Sequence, residues 1–177
     1  MPLVMVTVQL TAPAGIPPRT VQNAQVMAAR IFAAAKVRIA WSETGADLHV
    51  QIVAKEFHGV ATDTAGVSVL TGGDSGYAAV SWPAVQRSAV QMDADPAVAL
   101  GAAIAHEIGH LLLGPAHSGS GIMSARLGFH EMKLAARGEL LLDAECAKRL
   151  EGLTASRPSL LLSLKPKLAP SESGSMH

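Results

Sequence analysis

Residues 105–123, AHEIGHLLLGPAHSGSGIM, concentrate polar chemistry in an otherwise apolar, glycine-punctuated run. Just before them, Asp95 and Pro96 are typical of an N-cap and of the first position of a helix. Gly114 is well placed as the C-terminal stop of that helix. The sequence therefore predicts a helix over residues 96–113, nearly all of it buried. Within twelve residues the stretch holds three histidines and a glutamate: His106, Glu107, His110 and His117.

The spacing of the first two histidines is typical of a metal site on a helix. His106 and His110 are four residues apart, so both imidazoles leave the same helical face and can bind one ion. Glu107 is rotated by about 100° and can reach a water molecule beside the ion. Two ligands and a general base in one turn form the HExxH pattern. The alternative is a pair of core histidines bonded to the backbone, with Glu107 at the surface.

A third ligand is expected from the turn that follows the helix. Gly114 can adopt the left-handed conformation that ends a helix and turns the chain back. The short loop after it would return His117 to the metal from outside the helix. Three histidines leave one open position, which is the catalytic type of zinc site rather than the closed structural type.

HEIGHLLLGPAHS followed by GIM resembles the metzincin metallopeptidases, whose pattern is HExxHxxGxxH with a downstream methionine turn. Ser118 and the short spacing to the methionine are similar to the matrixin branch. This chain has three residues, 111–113, where the family has two between the second histidine and the glycine. The positions that match the ligands, the base, the turn glycine and the methionine beneath the metal are His106, His110, His117, Glu107, Gly114 and Met123.

Two of these positions have competing interpretations. Glu131 lies 21 residues after His110, a spacing similar to that of thermolysin-like peptidases, and could replace His117 as the third ligand. Met123 could be ordinary core, because methionine fills gaps readily. Among the other histidines, we interpret His49 as a surface residue and expect no role for His58.

The rest of the chain predicts alternating strands and helices, with the opening order strand, helix, strand, strand, which favours an α/β layer arrangement. Pro83 marks 77–82 as a candidate edge strand. The resemblance implies a zincin-like fold, α+β or α/β, in which a twisted mixed sheet packs on a backing helix and a buried active-site helix. We expect strands at 3–10, 37–41, 48–52, 67–70 and 77–82, and helices at 20–35 (N-cap Thr20), 83–92, 96–113 and 144–150 (N-cap Asp143).

The chain is expected to contain one metallopeptidase domain, residues 1–154, and a loosely ordered tail, residues 155–177, whose apolar patch 160–164 could dock on the domain. Fourteen basic and fourteen acidic residues cancel, so we expect neither nucleic acid nor an anionic membrane as a partner. Cys146 is the only cysteine, which excludes an internal disulfide and multi-cysteine metal sites.

We expect no membrane-spanning helix, because no segment reaches the roughly 18–20 apolar residues that one needs. The N-terminus MPLVMVTVQL lacks the features of a signal peptide. The protein is thus expected to stay inside the cell or to be a trimmed mature form, and the resemblance suggests a secreted or periplasmic one.

These observations predict a monomeric zinc endopeptidase acting on peptides or proteins. The ion would lower the pKa of water to about 7, and Glu107 would pass its proton to the leaving nitrogen. We expect Leu112, Leu113 and residues 124–130 to wall the substrate pocket, and Tyr77 either to pack or to contact the oxyanion. The alternatives are a non-catalytic metal- or peptide-binding module and, with less support, a three-histidine endoribonuclease, a class that carries glycine at the position of Glu107 and needs a basic surface.

Overall fold

A computed structural model of the chain describes residues 4–57, 65–70 and 76–156. They form a mixed α/β fold with a five-stranded sheet of order β2-β1-β3-β5-β4. Neighbouring strands are parallel except β4, which runs antiparallel to β5 at one edge. The strands are β1 (Val4–Thr11), β2 (Val37–Trp41), β3 (Leu48–Val53), β4 (Gly66–Leu70) and β5 (Gly76–Ser81).

Five α-helices and one 3-10 turn lie in the described part of the chain. Helices α1, α2 and α3 precede the histidine loop, and α4 and α5 follow it. Their bounds are α1 (Pro18–Ala33), α2 (Trp82–Gln91), α3 (Pro96–Leu113), the 3-10 turn (Gly121–Met123), α4 (Phe129–Arg137) and α5 (Ala144–Ser156).

The prediction for α3 is confirmed at both ends. The Asp95 carboxylate accepts a hydrogen bond from the backbone N–H of Ala97 at 2.7 Å, and Gly114 ends the helix with a φ of +91°. Two other helix predictions are wrong. Helix α1 begins at Pro18 rather than after Thr20, because the fixed φ of proline suits the first turn of a helix. Helix α5 is capped by Asp143 but continues to Ser156, beyond Leu150.

The strand expected at 77–82 is present as β5, but its expected place at the edge of the sheet is wrong. Strand β5 lies between β3 and β4, so β2 and β4 form the edges of the described sheet. Pro83 is instead the second residue of α2, and the Ser81 hydroxyl accepts a hydrogen bond from the Ala84 N–H at 3.3 Å. The proline therefore marks a helix start, where its missing N–H costs nothing.

Helix α3 lies at the centre of the molecule and contacts the other four helices and strands β3, β4 and β5. The expectation that no segment is long and apolar enough to cross a membrane is wrong for this helix, whose mean hydropathy is 1.4, but 72% of it is buried inside the protein. Its apolar composition is therefore that of a core helix. The largest side chains buried around it are Phe32, Leu100, Ile104, Ile108, Ile122 and Met123.

Some expectations lie outside the described residues: those for His58 and for the tail after residue 156. The division into a domain and a tail stays a prediction.

Candidate metal centre

The two histidines of α3 are held by backbone carbonyls. His106 Nδ1 lies 2.7 Å from the Ile122 carbonyl oxygen, and His110 Nδ1 lies 3.0 Å from that of Gly114. A carbonyl only accepts, so each Nδ1 carries the hydrogen and each Nε2 keeps a lone pair. The two Nε2 atoms are 3.0 Å apart. Both rings therefore present their metal-binding nitrogens to the same point.

His117 completes the cluster from the loop after α3. Its ring centroid lies 5.3 Å from that of His106 and 4.8 Å from that of His110. One ligand atom from each of the three rings lies within 4.8 Å of the others. The structure thus confirms that the three histidines converge, and the extra leucine of this chain is accommodated inside the helix, which runs to Leu113.

The donor set fits a metal ion. Burial and the neighbouring histidines lower the pKa of His106 to about 4, although its hydrogen bond to Ile122 acts in the opposite direction. Partial desolvation and the proximity of His110 also lower the pKa of His117. Both rings are therefore neutral at pH 7, which is the form that binds metals. Imidazole donors suit several first-row transition metals.

The 3-10 turn at 121–123 lies directly against the ligand helix. Met123 is fully buried, and its sulfur occupies the space that a Cβ on Gly109 would need, 2.1 Å away. Gly109 precedes His110, so this methionine packs against the turn of α3 that carries His106 and His110. The Ser118 N–H also donates to the Met123 carbonyl at 2.8 Å, which ties the end of the His117 loop to this turn.

Glu107 is buried, with 4% of its surface exposed. The alternative of a surface glutamate is therefore wrong, although the backbone bonds it foresaw for the two histidines are present. Its carboxylate lies against Gly66 of β4, where a Cβ would stand 2.4 Å from Oε1. Strand β4 thus approaches the general-base candidate at a position that only glycine leaves open.

The histidines and Glu107 open into a cavity of about 720 Å³ between β4, α2, α3 and the chain after Met123. Most of the described residues around it are small or apolar, and Arg126 is the one lysine or arginine among them. The other lining residues are Ala65, Gly66, Val67, Val85, Ser88, Gln91, Met92, Ala99, Ala103, Pro115, Ser124, Ala125, Leu127, Gly128 and Met132.

Several candidate residues lie elsewhere. The Glu131 carboxylate accepts from the Gly128 N–H at 2.9 Å at the start of α4, and Glu131 is not part of the histidine cluster. Tyr77 stacks on His49 with ring centroids 4.7 Å apart and does not line the cavity. Leu112 and Leu113 do not line it either. Of the expected wall segment 124–130, residues 124–128 line the cavity and residues 129–130 do not.

Sequence reasoning missed the glycines that make room for the site, Gly66 and Gly109, and the contribution of α2 to the cavity. A glycine inside a strand can mark the close approach of another group, and this is the signal that Gly66 carried.

A scan against protein-family models and a search of curated proteins found no match to this chain.

Proposed function

We propose that this chain is a zinc-dependent endopeptidase in which His106, His110 and His117 hold the ion and Glu107 is the general base. The observation that carries the proposal is the convergence of three imidazoles beside a buried carboxylate at the wall of one large cavity. The resemblance of the same residues to the metzincins supports zinc and peptide hydrolysis.

The proposed roles follow from where each group lies. A bound zinc ion would activate water and polarise the substrate carbonyl. Glu107 is buried next to the two helix ligands, so it is placed to take a proton from the attacking water and to deliver it to the leaving nitrogen. The carbonyls of Ile122 and Gly114 keep the two helix histidines in the tautomer with a free Nε2.

The surroundings favour an extended peptide as substrate. Strand β4 is an edge strand, and its first residues line the cavity together with Glu107. Edge strands commonly bind extended peptides through main-chain hydrogen bonds. The small side chains of Ala99 and Ala103 leave room beside the ligands for an apolar substrate side chain.

Hydrolysis of RNA has less support from the same site. RNA binding depends on neutralising phosphates with lysine and arginine, and among the described lining residues only Arg126 is one of these. The net charge of zero points the same way.

The test is digestion of a peptide library by the zinc-loaded protein and by Glu107→Gln, with the metal content of each measured by elemental analysis. We expect hydrolysis to fall by about 10²–10⁴-fold in Glu107→Gln while one ion per chain is retained. Glu131→Gln is the matched control, because that carboxylate only caps α4, and it should remain active. Equal hydrolysis by Glu107→Gln, or none by fully loaded wild type, would contradict the proposal.

A further inference from the structure

The two helix histidines are oriented by hydrogen-bond partners that lie at very different distances along the chain. His110 bonds the carbonyl of Gly114, four residues away at the end of its own helix. His106 bonds the carbonyl of Ile122, sixteen residues away and beyond the His117 loop. The orientation of His106 therefore depends on how a separate segment of the chain docks against α3.

The Ile122 carbonyl is positioned by the preceding residue, Gly121, which has an unusual backbone conformation. Gly121 has a φ of +72°, which side chains rarely allow. A Cβ at this position would lie 2.4 Å from the Leu141 carbonyl oxygen and 3.2 Å from the Asp143 nitrogen. Both the conformation and the contact thus require glycine.

Leu141 anchors the same turn from the connection between α4 and α5. Its carbonyl accepts a hydrogen bond from the Ile122 N–H at 2.9 Å. Both backbone groups of Ile122 are consequently hydrogen-bonded: its N–H donates to Leu141, and its C=O accepts from His106.

We propose that Gly121 is a positioning residue for the metal centre: by letting the backbone of Leu141 hold Ile122, it fixes the His106 imidazole with Nε2 toward the ion. This inference rests on the metal-binding part of the proposed function and not on peptide hydrolysis. It assigns the connection between α4 and α5 a role in metal affinity, although that connection contributes no ligand.

The experiment compares Gly121→Ala with Gly119→Ala, a glycine of the same loop with nothing within 4 Å of its Cβ position and no positive φ. Zinc affinity is measured by competition with a chromophoric chelator. We expect Gly121→Ala to bind zinc about 10–100-fold more weakly, as is usual when an outer partner of a ligand is lost. Gly119→Ala should match the wild type, and unchanged affinity in a folded Gly121→Ala would overturn the proposal.

A second readout separates positioning from general destabilisation. In the metal-free wild type, the ¹⁵N shifts of His106 should report a protonated Nδ1, and in Gly121→Ala a mixture of tautomers, while His110 keeps its protonated Nδ1. A His106 tautomer that does not change would contradict the proposal. If the wild type bound no metal, the metal-binding part of the proposed function would fail, yet this measurement would still test the positioning of His106.

A milder pair of variants covers the case in which Gly121→Ala does not fold. Leu141 is 38% exposed, so Leu141→Ala and Leu141→Gly both remove its isobutyl group and differ only in the Cβ. Only the glycine loosens the backbone that holds Ile122. We expect zinc affinity to be about two- to fivefold lower in Leu141→Gly than in Leu141→Ala, and equal affinities would overturn the proposal.

Discussion

At the scale of single residues, the three histidines differ in what holds them. His106 and His110 are half-buried and bonded to the backbone, whereas His117 is exposed on a short loop. An exposed ring has more conformations to lose when it binds an ion. Of the three proposed ligands, His117 therefore loses the most conformational entropy on binding an ion.

Replacement of His117 by alanine leaves two ligands and should weaken zinc binding by more than about 100-fold, since even the loss of an outer partner costs 10–100-fold. Isothermal titration of the metal-free variant with zinc provides the measurement. His130→Ala is the control, because His130 is exposed on α4 and outside the cluster. Similar affinities for the two variants would remove His117 from the ligand set.

His106 also predicts how the metal-free protein responds to acid. Burial lowers its pKa from 6.5 to about 4 in the folded state. Between pH 4 and 6.5 the unfolded chain binds a proton at His106 more readily than the folded protein does. The contribution of His106 to the free energy of unfolding is therefore fully present above pH 6.5 and is lost as the pH falls toward 4. The shift corresponds to up to about 3 kcal/mol.

The measurement is urea unfolding of the chelator-treated protein at pH 7 and at pH 4.5. We expect the wild type to lose more unfolding free energy between these two pH values than His106→Gln, which has no titrating ring at this position. An identical pH dependence in both proteins would show that His106 is not the group responsible.

The sequence pattern identified the three clustered histidines and Glu107, but not the residues that position them. HExxH and the glycine before His117 follow from helix periodicity and turn chemistry, which are local properties. The Ile122 carbonyl and Gly66 reach the site from positions sixteen and forty-one residues away from their partners His106 and Glu107. Such contacts depend on tertiary packing, for which a single sequence carries no direct signal.

At the scale of elements, strand β4 packs against helix α3 at the position of the Glu107 side chain. A Cβ on Gly66 would stand 2.4 Å from Oε1 and 2.6 Å from Cγ of Glu107. The Glu107 side chain would have to move away from the strand, because the three atoms nearest to this Cβ position all belong to it. The strand thus limits where the Glu107 carboxylate can lie.

Gly66→Ala should therefore reduce peptide hydrolysis by about 10-fold or more, which is part of the 10²–10⁴-fold that a general base contributes. The variant should still retain one zinc ion per chain. Steady-state hydrolysis and elemental analysis of the same sample test both parts. Gly15→Ala is the control, because nothing lies within 4 Å of its Cβ position. Full activity in Gly66→Ala would show that Glu107 adapts.

The ends of α3 were easier to predict than the neighbours of β5. Strand β1 and the caps of α3 are encoded within a few residues, and both were correct. The place of β5 inside the sheet was not, because Pro83 after a strand is equally compatible with a sheet edge and with the first turn of a helix. Sheet order depends on which strands pair, and pairing partners here are distant in the chain.

At the scale of the whole molecule, α3 carries residues of the candidate site and also packs against the sheet and the other four helices. The sheet and α1 bury its apolar side, and α5 reaches its C-terminal end, where the Arg149 guanidinium donates a hydrogen bond to the Leu113 carbonyl. A cation at this end also complements the helix dipole. These contacts hold the helix along its length. The face of α3 toward the cavity is therefore not needed for packing, and its small residues leave the cavity open.

The small residues on the face of α3 toward the cavity lead to a prediction about substrate choice. Ala99, Ala103 and His106 lie at helical spacing along the cavity, so the space beside the ligands continues toward the N-terminus of α3 between α2 and Met132. Leucine at position 103 would fill the part nearest to His106. Since one methylene in an apolar pocket is worth about 10–200-fold in discrimination, the substitution should change the profile of accepted peptides.

We expect the wild type to prefer peptides with a large apolar side chain next to the scissile bond, and Ala103→Leu to lower kcat/KM for these peptides by about 10-fold or more relative to those with alanine there. Profiling with a library that varies this position provides the measurement, after zinc content is matched between samples. Ala136→Leu, on an exposed position of α4 outside this cavity, should keep the wild-type profile. The same preference in Ala103→Leu would mean that the substrate side chain enters the protein elsewhere, and that the cavity floor along α3 serves packing rather than recognition.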